Sequence, residues 1–302
     1  MQKGPQTPKG FRDIMPEAAK KRRIMINTIA EVLEGYGFVP LETPTVEFAE
    51  TLLGKYGEEE KLIYQFEDRG GRKLALRYDL TVPLARFVAN NIGLLTPTFS
   101  RYQIGQAFRG ENTQKGRFRE FTQFDFDTVG TASPEEDAKV IAAGIEAIRK
   151  LGFESAKMIV NDRKNFEDMP IEVVRAIDKI SKIGKEGARK ELADKGLSQD
   201  KIDLVDRIEY SKPTENLLEV FRILQEKYQL KKNQDFVFDP TLARGLDYYT
   251  GVIMELKLEG KDDALSVGGG GRYDNLIGMF AGRPIPAVGF SFGIDRLIEL
   301  DN

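Results

Sequence analysis

Neither cysteine nor histidine occurs in the 302 residues. The lack of cysteine removes disulfides, thiolate nucleophiles and cysteine-bound zinc together. The lack of histidine removes more: Ser-His-Asp and Cys-His catalysis, imidazole general bases and histidine metal ligands. Any chemistry must run on carboxylates, Arg, Lys, Tyr and backbone donors. Net charge is small as well, −3 from Lys+Arg 45 against Asp+Glu 48. Such a chain is not a general polyanion binder, and contact with nucleic acid requires a local patch. The N-terminus MQKGPQTPKGFRD carries no apolar stretch suited to a signal peptide. No run approaches the ~18 apolar residues of a membrane span, so the chain reads as soluble and cytoplasmic.

What is present suffices for a full core: 41% of residues are hydrophobic and 31% charged, at a length of roughly two domains. Glu17–Glu34 has Ile26, Ile29, Ala30 and Leu33 at helical spacing, with Lys20, Lys21, Arg22 and Arg23 read as a solvated face. The prolines of Phe38–Pro44 suit an edge strand or an interface. Leu62–Glu67 and Lys73–Tyr78 flank Asp68-Arg69-Gly70-Gly71, a hairpin signal. Thr81–Asn91 predicts a helix. Phe99–Arg109 and Arg117–Val129 predict two strands around a polar loop. Ser133-Pro134-Glu135-Glu136 reads as a capping box opening a helix to about Lys150, with Ala138, Ile141, Ala142, Ile145 and Ile148 inward.

From about Lys164 to Asn233 the sequence is Lys/Glu/Asp-rich with helical periodicity. It predicts a helical insertion (164–233) between two parts of a core (1–163 and 234–302). After Asp235 strand and glycine signals return at Val252–Leu258, Ala264–Val267, Gly268–Gly271 and Val288–Phe292, followed by a helix at Ile294–Leu300. Hairpins alternating with helices predict an α+β fold with a mainly antiparallel sheet flanked by helices.

Four segments carry candidate chemistry. On the two strands around the polar loop, Tyr102, Ile104 and Phe108 share one face with Arg101, Gln103 and Arg109 opposite. Phe124 and Phe126 likewise oppose Gln123, Asp125 and Asp127. The loop Gly110–Gly116 suits a cover over a polyphosphate anchored by Arg109 and Arg117, or an ordinary hairpin with a wet outer face. Arg244–Gly251 places an arginine beside glycine and the Tyr248–Tyr249 pair, or is simply a strand start with aromatic core residues. Gly268–Gly271 is a four-glycine turn against which a flat ligand could lie, and it matches neither GxxxxGK[ST] nor GxGxxG. Gly289–Leu297 reads as strand, glycine turn and helix, with Arg296 in the first helical turn as an anion anchor or a surface ion pair. Separated arginines beside glycines, with paired carboxylates and no nucleophile, suit phosphoryl or nucleotidyl transfer.

These segments together resemble the catalytic core of the histidyl-tRNA synthetases, a class II aminoacyl-tRNA synthetase family, over nearly the whole chain. Tyr36–Pro44 resembles the dimer-forming motif 1. Phe108–Glu111 with Arg117–Phe121 resembles motif 2, and Gly289–Arg296 resembles motif 3. Leu76–Thr81, Arg244–Gly251 and Gly269–Asp274 are the histidyl-specific signals, with LRYDLT and QFDFD in the archaeal and eukaryotic style.

The resemblance implies ATP as substrate and Mg²⁺ bridging its phosphates. Arg109 and Arg296 would clamp the α- and γ-phosphates, Glu111 would lie near the adenine and Arg117 on the loop. Arg244 would sit between the carboxylate of L-histidine and the α-phosphorus. Asp79, Thr81 and Gln123 would hold the α-ammonium, Asp127 and Tyr249 would read the imidazole nitrogens, and Tyr248 would line the pocket. It also implies a homodimer through motif 1, contact with the tRNA(His) acceptor end, and no resident metal. The family normally adds a C-terminal anticodon-binding domain, whereas this chain ends at Asn302, so it reads as a core without that domain. The competing expectations are a non-catalytic histidine sensor similar to the regulatory subunit of ATP phosphoribosyltransferase, and a mere interaction module with a fortuitous cleft.

Overall fold

The computed structural model describes residues 4–113, 117–243, 248–258 and 266–300. Its strands are β1 Val39–Pro40, β2 Val46–Phe48, β3 Gln65–Glu67, β4 Lys73–Leu76, β5 Phe99–Phe108, β6 Glu120–Val129, β7 Ala156–Asp162, β8 Phe236–Phe238, β9 Val252–Leu258, β10 Gly268–Arg272 and β11 Ala287–Gly293. Eight of them form one sheet in the order β1-β5-β6-β11-β10-β9-β7-β8, and β2-β4-β3 form a small second sheet. The large sheet is antiparallel from β5 to β7 and parallel only at its two edges, where β1 joins β5 and β8 joins β7. The expected α+β class with a mainly antiparallel sheet is therefore found.

Alternation along the strands decides which face is core. Phe124 and Phe126 of β6, Val288, Phe290 and Phe292 of β11, and Val252, Met254 and Leu256 of β9 all point to the back face. There they meet the helices Pro16–Gly35, Pro134–Lys150 and Glu215–Glu226, whose buried stripes include Ile29 and Leu33, Ile141 and Ile145, and Leu217 and Phe221. Phe126 sits at the centre, with Phe38, Phe290 and Phe292 at ring-centroid distances of 5.5, 5.7 and 5.8 Å. Aromatic residues thus fix the back of the sheet and leave its front free for polar groups.

Several local expectations hold. The first helix spans Pro16–Gly35, the third-strand hairpin pairs Glu67 with Lys73, and a helix covers Thr81–Asn91. Others need correction. Ser133 caps its helix, but its hydroxyl accepts from Glu135 N at 3.3 Å, and the Glu136 carboxylate pairs with Lys139 instead of returning to the cap. Arg22 is not part of a solvated face; it reaches Asp295 at 2.6 Å. Gly268–Gly271 is not a turn but four residues of strand β10, paired on both sides.

In the stretch 164–233, short helices from Ile171 to Tyr210 pack around Val173, Val174, Ala188, Leu192 and Val205. Helix Glu215–Glu226 instead lies on Pro134–Lys150 behind the main sheet. Among the described residues, no helix is long and apolar enough to cross a membrane.

Candidate active site

The pairing registers carry two rows of residues across the front of the sheet. One row runs Gln103, Asp125, Ser291, Gly269 and Glu255; the next runs Arg101, Asp127, Gly289, Gly271 and Ile253. Charged groups on β5 and β6 therefore adjoin positions on β11 and β10 that carry little or no side chain. Above these rows lies a cavity of about 530 Å³. It is lined by Asp79, Thr81, Arg109, Arg117, Gln123, Asp127, Tyr248, Tyr249 and Arg296, all expected from the sequence. Glu111 does not line it but accepts a hydrogen bond from Arg117, which does, at 3.5 Å. Arg244 lies outside the described residues, as does Gln114–Gly116 of the polar loop.

The glycines are explained by close approach. A Cβ on Gly289 would stand 1.8 Å from Asp127 Oδ1, and one on Gly270 would stand 2.0 Å from the Gly289 carbonyl oxygen. These positions admit no side chain while the neighbouring strands and carboxylate stay in place.

Asp127 is held from two sides. Arg101 approaches Oδ2 at 2.7 Å, and the Tyr273 hydroxyl donates to Oδ1. Arg101 is wholly buried, so the polar face of this hairpin is not the wet surface that one reading allowed. Burial pushes the Asp127 carboxyl above its ordinary value, against the pull of Arg101 and Tyr273. Asp79 starts the helix Thr81–Asn91: its Oδ1 accepts from Thr81 N at 3.1 Å, Val82 N at 3.0 Å and the Tyr56 hydroxyl at 3.1 Å. Burial raises Asp79 too. Gln123 donates through Nε2 to Ser291 Oγ at 3.0 Å. The Tyr248 ring lies 4.9 Å from Tyr249 and 6.0 Å from Tyr273.

The cationic side is built separately. Arg109 lies over the Tyr78 ring at 4.2 Å and the Phe121 ring at 5.1 Å, with Nε donating to the Tyr78 carbonyl at 3.2 Å. Arg296 donates to the Ser266 carbonyl. Burial, and after it the nearby Arg117 charge, hold Arg296 below its ordinary value. Two guanidiniums that repel one another within one cavity make an anion site. Asp295 secures the arrangement: Oδ2 accepts from Thr122 N at 2.6 Å, and Oδ1 receives Arg12 at 2.5 Å and Arg22 at 2.6 Å. That carboxylate ties the last helix to β6 and to the N-terminal segment, beside Arg296.

Sequence reasoning did not assign Arg101, Tyr273, Ser291 or Asp295 to the site. Arg101 and Ser291 had a detectable signal, since alternation puts each on the face of Asp127. Tyr273 and Asp295 lie inside segments that resemble the family's motifs, but their partners could not be read short of the register.

A mainly antiparallel sheet with helices behind it, and with arginines gathered in front over buried carboxylates, is the catalytic architecture of a class II aminoacyl-tRNA synthetase. The family model for histidyl-tRNA synthetase matches residues 10–169 and 191–297. The Histidine--tRNA ligase of Aeropyrum pernix is 46% identical over 322 residues, a comparison covering 98% of this chain and 74% of that protein. The structure of histidyl-tRNA synthetase from Nostoc sp. PCC 7120 matches with a TM-score of 0.80 at 30% identity, covering 99% of this chain and 75% of that one. A structure described as an ATP phosphoribosyltransferase regulatory subunit/histidyl-tRNA synthetase from Bacillus halodurans C matches with a TM-score of 0.81 at 25% identity, covering 98% and 83%. The chain belongs to the histidyl-tRNA synthetase family.

Proposed function

We propose that this chain activates L-histidine with ATP, giving histidyl-adenylate and pyrophosphate, and then transfers the histidine to tRNA(His). The observation that carries the reading is one cavity in which Arg109, Arg117 and Arg296 face a floor of buried carboxylates and glycines. A protein without histidine needs no general base for this first step. The amino acid's carboxylate is already ionised at neutral pH; its oxygen attacks the α-phosphorus as the bond to the bridging oxygen breaks and pyrophosphate departs. What the protein supplies is alignment and fixed positive charge.

In this reading Arg109 and Arg296 clamp the α- and γ-phosphates, Arg117 closes from the loop, and Glu111 lies near the adenine. Arg244 enters through the resemblance alone, as the guanidinium between the carboxylate and the α-phosphorus. Asp79, Thr81 and Gln123 receive the α-ammonium. Asp127, held in place by Arg101 and Tyr273, accepts from one imidazole nitrogen, and Tyr249 serves the other while Tyr248 lines the pocket. A fixed buried acceptor rejects side chains that offer it no donor. Mg²⁺ takes one or two carboxylates plus substrate phosphates, and Glu255, in the cavity wall, is the residue to share it. When bound, the ion would neutralise phosphate charge.

The exposed side chains of Val46, Phe48 and Phe66 on the small sheet, next to the motif 1 segment, support assembly as a homodimer. Residues 164–233 form a helical insertion in the core 1–163 and 234–302, and their Ile177, Asp178, Ser181 and Lys182 reach the cavity wall, where the acceptor end of tRNA would arrive. The sensor reading is not favoured: a sensor has no use for a phosphate clamp, and identity to the ligase of Aeropyrum pernix is 46% against 25% for the structure that carries the regulatory description.

The test is histidine-dependent pyrophosphate–ATP exchange, with Arg244→Ala and Arg109→Ala as controls. Exchange in the parent and its loss in both variants is expected. Histidine binding without any exchange at high protein concentration would return the sensor.

A further inference from the structure

Asp125 has no task in the reading above, yet it occupies the middle of the front face. It lies between Gln123 and Asp127 on β6, two residues (about 6.8 Å) from each and on the same face. It is 2% exposed and lines the cavity. Its Oδ1 has no hydrogen-bond partner among the described residues, and neither has Gln123 Oε1. Ser291 explains the second vacancy: Gln123 Nε2 is committed to Ser291 Oγ, which turns the amide oxygen away from that contact. The Ser291 hydroxyl, as acceptor from Gln123, has its own proton to give to Asp125, and the two side chains are hydrogen-bonded. Two buried acceptors without donors are thus presented side by side. The far end of the row differs, since Asp127 already has Arg101 and Tyr273.

A group that satisfies both vacancies must bring several donors and no lone pair, which describes an ammonium ion. Charge points the same way. The floor holds Asp79, Asp125 and Asp127, all buried, and Arg101 is the guanidinium paired among them. We propose that Asp125 is a substrate-positioning residue which, with Gln123 and Asp79, receives the α-ammonium and makes the site demand a cationic amino group. The assignment rests on the histidine-activating reading of the cavity and adds a residue to it.

A proton accompanies the ligand. Asp125 faces Arg101 and Gln103 from β5 and Ser291 from β11, with Asp127 on its own strand. Asp79 and Arg77, from the segment entering the helix Thr81–Asn91, also act on it. Burial outweighs the pull of Arg101 and pushes its carboxyl up to about 7, with Asp127 adding to the rise. Arrival of an ammonium ionises the carboxyl and releases that proton to solvent near and below pH 7.

Calorimetric titration of the full chain and of its Asp125→Asn variant with three ligands tests this. L-Histidine and histidinol carry the ammonium; imidazolepropionate carries the ring and the carboxylate without it. The variant is expected to bind the first two about 10- to 100-fold more weakly, and imidazolepropionate and ATP within about threefold of the parent. Repeating the histidine titration at about pH 6 in buffers of different ionisation enthalpy should show more proton release in the parent than in the variant, since exchange by the histidine imidazole itself is common to both. Equal weakening for all three ligands, or none, overturns the assignment. Should Asp125→Asn fail to bind ATP and so be misfolded, Asp125→Ser is judged by the same three-ligand pattern. A parent protein that binds no histidine sinks the functional reading and this residue's role with it; normal histidine binding by a folded variant sinks the role alone.

Discussion

Gly289→Ala is the smallest change that should disable amino-acid recognition. The added Cβ would lie 1.8 Å from Asp127 Oδ1, 2.5 Å from its Cγ and 3.1 Å from the Phe126 carbonyl oxygen. Real Cβ contacts essentially stop at 3.0 Å, so the carboxylate must retreat by about 1.2 Å or the strand must shift. The strand is pinned by β6 and β10 on its two sides. The carboxylate is pinned by Arg101 and Tyr273, so its retreat strains or breaks a buried pair. Breaking such a pair costs about 3–5 kcal/mol, and overpacking alone about 1–3 kcal/mol. If about 3 kcal/mol falls on the pocket, histidine affinity drops by about 100-fold or more. ATP affinity, set by the arginines on the other side of the cavity, should stay within a few-fold. Gly293→Ala is the control in the same strand, because its Cβ would have no atom nearer than 3.8 Å. Calorimetric titration with histidine and ATP reads both effects. If Gly289→Ala keeps histidine affinity within threefold of the parent, Asp127 is not the fixed acceptor described above.

Three further outcomes are expected. Arg109→Ala and Arg296→Ala should each lower pyrophosphate–ATP exchange by about 10²–10³-fold, with histidine affinity little changed; a loss confined to histidine binding would contradict the clamp. Asp125→Asn should stabilise the ligand-free protein at high pH. The native carboxyl is raised from 3.8 to about 7, so its contribution is most favourable below pH 4 and is lost as pH rises through 7. At about 1.4 kcal/mol per pH unit the cost above pH 7 is at most about 4 kcal/mol. Thermal melts at pH 5 and pH 8 should therefore show the variant's advantage growing with pH, and an advantage that shrinks would refute the burial argument. Phe48→Glu, on a side chain 50% exposed, should turn a dimer into a monomer by light scattering without lowering the melting temperature by more than a few degrees. A dimer that persists would move the interface elsewhere.

Much of this site was legible because it obeys a period of two. Once Phe124 and Phe126 are assigned to a core, Gln123 and Asp127 must face the other way, and the structure places them in the cavity wall. The same rule already placed Asp125 there, yet the residue went unassigned because the family pattern gave it no part. Gly268–Gly271 was misread for a different reason. Four glycines have no side-chain preference for strand, and only pairing with β9 and β11 makes them one. Arg22 was misread as solvated because helical spacing shows which residues share a face but not what approaches from 273 residues away. Tyr273 and Asp295 share that difficulty: each acts on a partner set by register or by tertiary packing, which no local window contains.

The front of the sheet breaks two rules of stable folding at one place. Glycine in a strand interior weakens it, and here β10 and β11 carry glycine at adjoining positions. Buried carboxylates destabilise a fold unless paired, and here Asp79, Asp125 and Asp127 converge with Arg101 as the guanidinium ion-paired among them. Neither departure helps the protein by itself, and the aromatic packing behind the sheet offsets both. What they share is a single remedy. A zwitterionic amino acid laid along β6 brings an ammonium to the unpaired acceptors and needs bare backbone beneath it, while its carboxylate reaches toward the arginines. Each local defect is a complement to one part of that ligand, and this is why they coincide.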